Sequence, residues 1–121
     1  ASRSAEQKLW ARAELKLPEL SDLAALDDAS FREVFAGSPV KRTGRNRMLR
    51  NVLIAIGNSG EPSLVDQSVI PHLGDEAAIV RAAAIWALGR LDKTRFAAEK
   101  ADRLELEHDE DVRGEWQAVN Q

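Results

Sequence analysis

Cysteine and tyrosine are absent from this chain, and aromatic residues make up only 5% of it. Without cysteine the chain can form no disulfide bond, no thiolate zinc site and no iron–sulfur cluster of its own. The longest apolar run, Ala82 to Leu88, has seven residues, far fewer than the roughly 20 that cross a bilayer. The N-terminus also lacks the basic start and apolar core of a secretory signal. We therefore expect no membrane segment, no cofactor held by this chain and a cytoplasmic location.

The residues that are present favour one compact helical domain. Hydrophobic residues make up 44% and charged residues 31% of the 121 positions, which is typical of a folded chain with a core of its own. Alternation with a period of two residues is missing, so the sequence predicts an all-α fold. We expect residues 1–18 to form a partly extended helical lead-in and residues 19–121 to form a single helical domain.

Start and stop signals divide the domain into helices. A helix follows Pro18, because proline is tolerated in a first helical turn. The predicted helices are Glu19–Leu26, Ala29–Ala36, Asn46–Asn58, Ser63–Leu73, Ala77–Leu91 and a last one from Asp111 to the C-terminus. At about 100° per residue, Asn46–Asn58 separates an apolar side from a polar stripe. The apolar side holds Met48, Leu49, Val52, Leu53, Ala55 and Ile56; the buried side of Ala77–Leu91 includes Ile79, Val80, Ala84 and Leu88.

Short motifs recur at an interval of 32 residues. Ala55-Ile56-Gly57 returns as Ala87-Leu88-Gly89, and Val80-Arg81 returns as Val112-Arg113 behind a second acidic segment. The pattern resembles the HEAT-like repeat and predicts a short α-solenoid of about two and a half repeats. In such repeats the valine packs inside, an acidic residue caps or flanks the helix start and the arginine braces neighbouring turns. We therefore expect structural roles for Arg81 and Arg113.

Acidic residues are absent from the 27 positions between Val34 and Gly60. All 20 aspartates and glutamates lie elsewhere, with 12 of the 17 lysines and arginines. The block carries +5 while the rest of the chain carries −8, so a net charge of −3 hides one cationic edge. Basic residues in a loop and on the exposed stripe of the next helix can bind successive phosphates of a nucleic acid backbone. The candidate RNA-binding residues are Lys41, Arg42, Arg45, Arg47, Arg50 and Asn51.

The same block carries a family resemblance. Phe31, Phe35, Gly37-Ser38-Pro39, Lys41-Arg42, Leu49-Arg50-Asn51, Ile54-Ala55 and Gly57-Asn58-Ser59-Gly60 resemble the string that precedes a HEAT-like tail in epoxyqueuosine reductases. That family uses 4Fe-4S clusters and cobalamin to complete queuosine in the anticodon loop of certain tRNAs. The resemblance implies a C-terminal domain that contacts the tRNA anticodon stem-loop beside an upstream catalytic domain of the same polypeptide. This chain lacks the cysteines of that catalytic body, so we expect no catalysis from it alone.

Other functions are compatible with the sequence. A HEAT-like stack is also typical of a protein–protein interaction scaffold, with the basic block facing an acidic partner. A free-standing enzyme, such as a HEAT-like nucleic-acid glycosylase, would need an acid near the basic stripe, and only Glu33 and Glu61 flank the block. His72 and His108 show no metal-ligand spacing, so both are predicted to be surface residues.

Overall fold

The computed structural model describes residues 17–25 and 40–118, and every regular element in these ranges is helical. The α-helices are α1 (Leu17–Ala24), α2 (Val40–Asn58), α3 (Ala78–Leu91), α4 (Lys93–Arg103) and α5 (Glu110–Gln117). The all-α prediction is confirmed. The HEAT-like solenoid and the division into residues 1–18 and 19–121 stay predictions, and the helix proposed for Ala29–Ala36 lies outside the described residues.

Helix α2 is longer than predicted and contains a break. It begins at Val40 rather than Asn46, and Gly44 interrupts it with φ 80° and ψ 164°. A positive φ of this size suits glycine, because a side chain there would be strained. Lys41 and Arg42 therefore lie in a helical turn ahead of the break, where the sequence predicted a loop.

Between α2 and α3 the chain forms tight turns instead of the α-helix predicted for Ser63–Leu73. A 3-10 turn (Pro62–Leu64), one turn of π-helix (Val65–Val69) and a second 3-10 turn (Ile70–His72) follow one another. Pro62 and Pro71 each lie at the start of a 3-10 turn. Proline removes an N–H and its ring clashes with the preceding turn, so a continuous α-helix through Pro71 is disfavoured.

Helix α3 forms the centre of the core and packs against both α2 and α5. Gly57 of α2 lets the two helices approach closely. A Cβ at this position would lie 2.6 Å from Cζ3 of Trp86 and 3.1 Å from Cα of Ala87, both in α3. The apolar side predicted for α2 is confirmed except at Ala55, which is half-buried. The buried side predicted for α3 is confirmed except at Ile79, which is 44% exposed, and at Leu91, which was also predicted to be buried and is half-buried. The fully buried residues of the three helices include Met48, Leu49, Val52, Leu53, Ile56, Val80, Ala84, Ile85, Leu88 and Val112.

Acidic side chains accept hydrogen bonds from backbone N–H groups at the start of three helices. The carboxylate of Asp75 accepts a hydrogen bond from the N–H of Ala77 ahead of α3, at 2.9 Å. Asp92 caps α4 by accepting from the N–H of Arg95, and Asp109 caps α5 by accepting from two backbone N–H groups. Such caps satisfy donors that have no partner inside the helix. The capping role predicted for the acidic segments is confirmed at Asp109, whereas Asp75 flanks α3, whose N-cap is Ala77. Helix α4 was not predicted from the sequence.

The 32-residue interval between the two valine–arginine pairs is matched by equivalent hydrogen bonds. Nη1 of Arg81 donates to the carbonyl of Asp75 at 2.9 Å, and Nη1 of Arg113 donates to the carbonyl of Glu107 at 3.0 Å. Both arginines thus bind the carbonyl six positions earlier. Val80 and Val112 are both fully buried. The structural roles predicted for the two arginines are confirmed.

Candidate nucleic-acid interface

The exposed stripe of α2 carries two of the candidate RNA-binding arginines, Arg47 and Arg50. Arg47 and Arg50 lie three positions apart on this stripe and are exposed, while Met48 and Leu49 between them are fully buried. Within the described ranges, neither arginine has a carboxylate within 4 Å. Asn51 is half-buried, and its side-chain oxygen accepts a hydrogen bond from Nη1 of Arg50 at 3.4 Å. Arg47, Arg50 and Asn51 therefore share one continuous polar surface.

Arg45 has a different environment from its neighbours in the block. Its Nη2 lies 2.8 Å from Oδ1 of Asp75, and the two side chains are only 21% and 9% exposed. Its charge is therefore largely balanced within the fold, across 30 positions of sequence. The side chains of Lys41 and Arg42 lie outside the described part of the structure.

His72 lies beneath this ion pair and is buried, so its predicted surface position is wrong. Its Nε2 is 2.6 Å from the carbonyl oxygen of Ala24 in α1, which fixes Nε2 as the donor. Its Nδ1 lies 4.0 Å from Oδ1 of Asp75. The exposed position predicted for His108 is confirmed.

Two carboxylates that bind arginines have lowered pKa values. Burial raises the pKa of Asp75, but the hydrogen bonds from Arg45 and from the Ala77 N–H outweigh it and lower the pKa below 3.8. Glu107 behaves alike: burial raises its pKa, whereas the hydrogen bonds from Arg81 and from the backbone lower it below 4.5. In both cases the folded chain binds protons less readily than the unfolded chain does.

Acid is therefore expected to destabilise the fold through these two groups. Their stabilising contribution is complete above the unfolded pKa values, close to 3.8 and 4.5, and is lost as the pH falls through the lower folded values. Urea unfolding midpoints measured between pH 7 and pH 3 should fall more steeply for the natural chain than for a variant carrying Asp75→Asn and Glu107→Gln. A variant with Glu110→Gln, at an exposed position of α5, should keep the natural slope. Equal slopes for all three chains would contradict this account.

A groove lies beside the basic stripe and crosses three helices. It has a cavity volume of about 290 Å³. Helix α2 contributes Arg50 and Ile54, α3 contributes the floor, and α5 contributes Glu115; the lining residues are Arg50, Ile54, Ile79, Ala82, Ala83, Trp86 and Glu115. The guanidinium carbon of Arg90 lies 5.2 Å from the ring centroid of Trp86, within cation–π range. Burial raises the pKa of Glu115.

Sequence reasoning did not associate Trp86, Ile79 or Glu115 with the basic block. The 32-residue interval could have revealed this association, because residues 32 positions apart occupy corresponding positions on successive helices. Four such rows cross the surface: Arg47, Ile79 and Asp111; Arg50, Ala82 and Gly114; Asn51, Ala83 and Glu115; Ile54, Trp86 and Ala118. The first three rows run from a basic or polar residue on α2, through an apolar residue on α3, to an acidic or small residue on α5; the fourth row is apolar throughout and ends just after α5.

The site offers no ligands for the cofactors that the resemblance implies. The sequence has no cysteine to bind an iron–sulfur cluster. Among residues 17–25 and 40–118, no group of three histidines or acids converges on a common point. Over the same residues, no helix is both long and apolar enough to cross a membrane.

Comparison with known proteins places this sequence beside enzymes of the reductase class. It is 34% identical over 87 residues to the epoxyqueuosine reductase of Alicycliphilus denitrificans, covering 66% of this chain and 24% of that protein. It is also 34% identical over 90 residues to the epoxyqueuosine reductase of Xanthomonas campestris pv. campestris, covering 74% of this chain and 25% of that protein. It is 26% identical over 100 residues to the epoxyqueuosine reductase of Bacillus subtilis, covering 83% of this chain and 26% of that protein. The chain thus spans about a quarter of the length of these relatives. No family model and no solved structure matches it. The resemblance to epoxyqueuosine reductases is confirmed at the level of sequence similarity.

Proposed function

We propose that this chain is the RNA-contacting helical part of an epoxyqueuosine reductase-like protein that acts on tRNA in the cytoplasm. In this proposal it forms a HEAT-like stack of about two and a half repeats. It holds the backbone of the tRNA anticodon stem-loop, while a catalytic domain of the same polypeptide carries the iron–sulfur and cobalamin chemistry. The chain itself supplies affinity and catalyses nothing.

The observation that carries the proposal is the division of α2 into two sides. One side is fully buried against α3, and the other presents Arg47 and Arg50 to solvent. Since the helix cannot turn without exposing its core residues, Arg47 and Arg50 project from backbone positions one helical turn apart on the same side of α2. No acid lies within Val34–Gly60 to neutralise them locally. Two neighbouring arginines on a fixed helix suit the regular phosphates of an RNA backbone.

The basic residues contribute to this surface in different ways. Arg47 and Arg50 are exposed and Asn51 beside them is half-buried, while Lys41 and Arg42 precede them in the sequence. Arg45 supports it indirectly, because its ion pair with Asp75 fixes the first part of α2 to the turn before α3. We therefore assign Arg45 to positioning and the other five residues to contact with RNA.

Exchanging both Arg47 and Arg50 for alanine is expected to weaken binding to an anticodon stem-loop RNA about tenfold or more. The dependence of log K on log salt should become shallower by about 1.5, since each phosphate neutralised contributes roughly 0.7–0.9. Fluorescence anisotropy at several salt concentrations measures both quantities. Lys93→Ala combined with Lys100→Ala on α4 removes the same charge elsewhere and should leave the slope unchanged. If both double variants lose affinity equally, the stripe has no special role.

A protein–protein interaction scaffold is the second candidate. It is favoured by Leu106, which is 75% exposed, beside a cavity of about 650 Å³ whose lining includes Glu76, Glu107 and Asp109. An exposed apolar residue rimmed by charge is common at protein interfaces. Affinity capture from nuclease-treated extract would distinguish the two candidates, because a protein partner persists there and an RNA partner does not.

A further inference from the structure

We propose that the groove between α2, α3 and α5 binds a single unpaired base of the RNA whose backbone lies along the basic stripe. The inference rests on the proposed function and extends it, because it assigns recognition of bases to a surface so far argued to hold only phosphates. Its residues are Arg50 at one wall, an apolar floor on α3 and Glu115 at the opposite wall.

The chemistry of the groove changes along its length in the order that a nucleotide requires. Arg50 stands on the α2 wall, where the phosphate stripe runs. Ile54, Ile79 and Trp86 then offer apolar and aromatic surface. Bases stack on aromatic and apolar side chains in single-stranded RNA recognition. A nucleotide with its phosphate on Arg50 would therefore lay its base across α3.

The floor has room for a base because α3 carries small residues there. Ala82 and Ala83 lie between the larger Ile79 and Trp86 on the same helix. The cavity volume of about 290 Å³ is at the lower end of the roughly 300–1,000 Å³ that is usual for small-molecule sites. This size suits one base and excludes a paired duplex, which would contact the stripe alone.

Glu115 gives the far end of the groove a selective group. It is half-buried on α5, across α3 from Arg50, and none of the cationic side chains that the structure describes lies within 4 Å of its carboxylate. A carboxylate accepts hydrogen bonds only, so it favours a base edge that presents an amino group. Guanine, adenine and cytosine carry such a group and uracil does not. An acid at this place would weaken a surface that bound only phosphate, whereas it is useful for reading a base.

The decisive measurement compares two RNAs with equal numbers of phosphates: a stem-loop with an unpaired loop of amino-bearing bases, and a fully paired duplex. The natural chain should bind the stem-loop about 5- to 100-fold more tightly, the range expected for stacking one base. Ala82→Leu fills the groove without removing any group, and should abolish the preference while leaving duplex binding unchanged. Ile79→Ser should reduce the preference, and Leu106→Ser, at an exposed leucine outside the groove, serves as its matched control.

The role of Glu115 has a separate test on loops that differ in one base. The natural chain should prefer an amino-bearing base over uracil at one loop position. Glu115→Gln should narrow that preference, because an amide can also donate to the carbonyl oxygens of uracil. Glu110→Gln is the matched control at an exposed position of the same helix. Circular dichroism melting curves of each variant verify that it is folded.

The outcomes separate this inference from the proposed function. If the natural chain binds neither RNA, both are overturned. If it binds the stem-loop and the duplex equally through Arg47 and Arg50, the proposed function stands and the base site is overturned. If Ala82→Leu folds and keeps the full preference for the stem-loop, the base site is also overturned.

Discussion

Replacing Trp116 by alanine is expected to lower the free energy of unfolding by about 3–5 kcal/mol, the usual cost of removing a large aromatic side chain from a core. Trp116 is 1% exposed, and its ring centroid lies 5.3 Å from that of Phe96 in a tilted arrangement. The substitution opens a cavity beneath α5 and removes the aromatic contact that joins α5 to α4. Urea denaturation followed by circular dichroism measures the loss.

Two further substitutions divide this effect into its parts. Trp116→Phe keeps most of the apolar contact and should cost much less than Trp116→Ala. Phe96→Leu removes only the aromatic pairing, which contributes about 0.5–1.5 kcal/mol beyond area burial. A loss below about 1 kcal/mol for Trp116→Ala would show that α5 contributes little to the core.

Arg81→Ala is expected to cost about 2–3 kcal/mol, somewhat less than the 3–5 kcal/mol for a fully buried pair, because the Arg81 and Glu107 side chains are still 19% and 11% exposed. Nε and Nη2 of Arg81 donate to the two carboxylate oxygens of Glu107 at 2.9 and 2.8 Å. Nη1 also donates to the backbone carbonyls of Asp75 and Glu76. Removing the side chain leaves a partly buried carboxylate and two carbonyls without these donors.

Two variants serve as controls for Arg81→Ala: a conservative lysine at the same position and an alanine at a distant lysine. Arg81→Lys keeps the charge but cannot donate two parallel hydrogen bonds to Glu107 while also reaching the carbonyls, so it should recover only part of the loss. Lys93→Ala, on the exposed start of α4, should change the unfolding midpoint little. Equal effects of Arg81→Ala and Lys93→Ala would rule out the bracing role.

Local patterns in the sequence predicted the parts of the fold that depend on neighbouring residues. Periodicity predicted the apolar side of α2. Side chains within one turn predicted the end of α2 at Asn58 and the acidic groups at helix starts, Asp75 and Asp109. The 32-residue interval predicted the equivalent arginines. Helix α4 was missed because it buries no residue fully and carries a single large apolar side chain, Phe96.

The candidate site was less predictable because its partners are distant in sequence. Arg45 was included with the exposed basic residues, since nothing near it shows that Asp75, 30 positions later, binds it. His72 was expected at the surface because it lies next to Pro71 near a predicted helix end and shows no metal-ligand spacing, yet its ring contacts a carbonyl of α1, 48 positions earlier. Trp86 lies 36 positions after Arg50, and only the packing of α3 on α2 brings both into one groove.

The change from basic α2 to acidic α5 also has a kinetic consequence. Charges of opposite sign on two flanking helices give the domain an electric dipole directed across α3. A polyanion within the Debye length, about 8 Å at physiological ionic strength, experiences a torque before it makes any contact. It would therefore arrive with its backbone already turned toward α2, so the fraction of productive collisions rises and association is faster at low salt. Orientation during approach is then what the exposed acids of α5, Glu110 and Asp111, contribute.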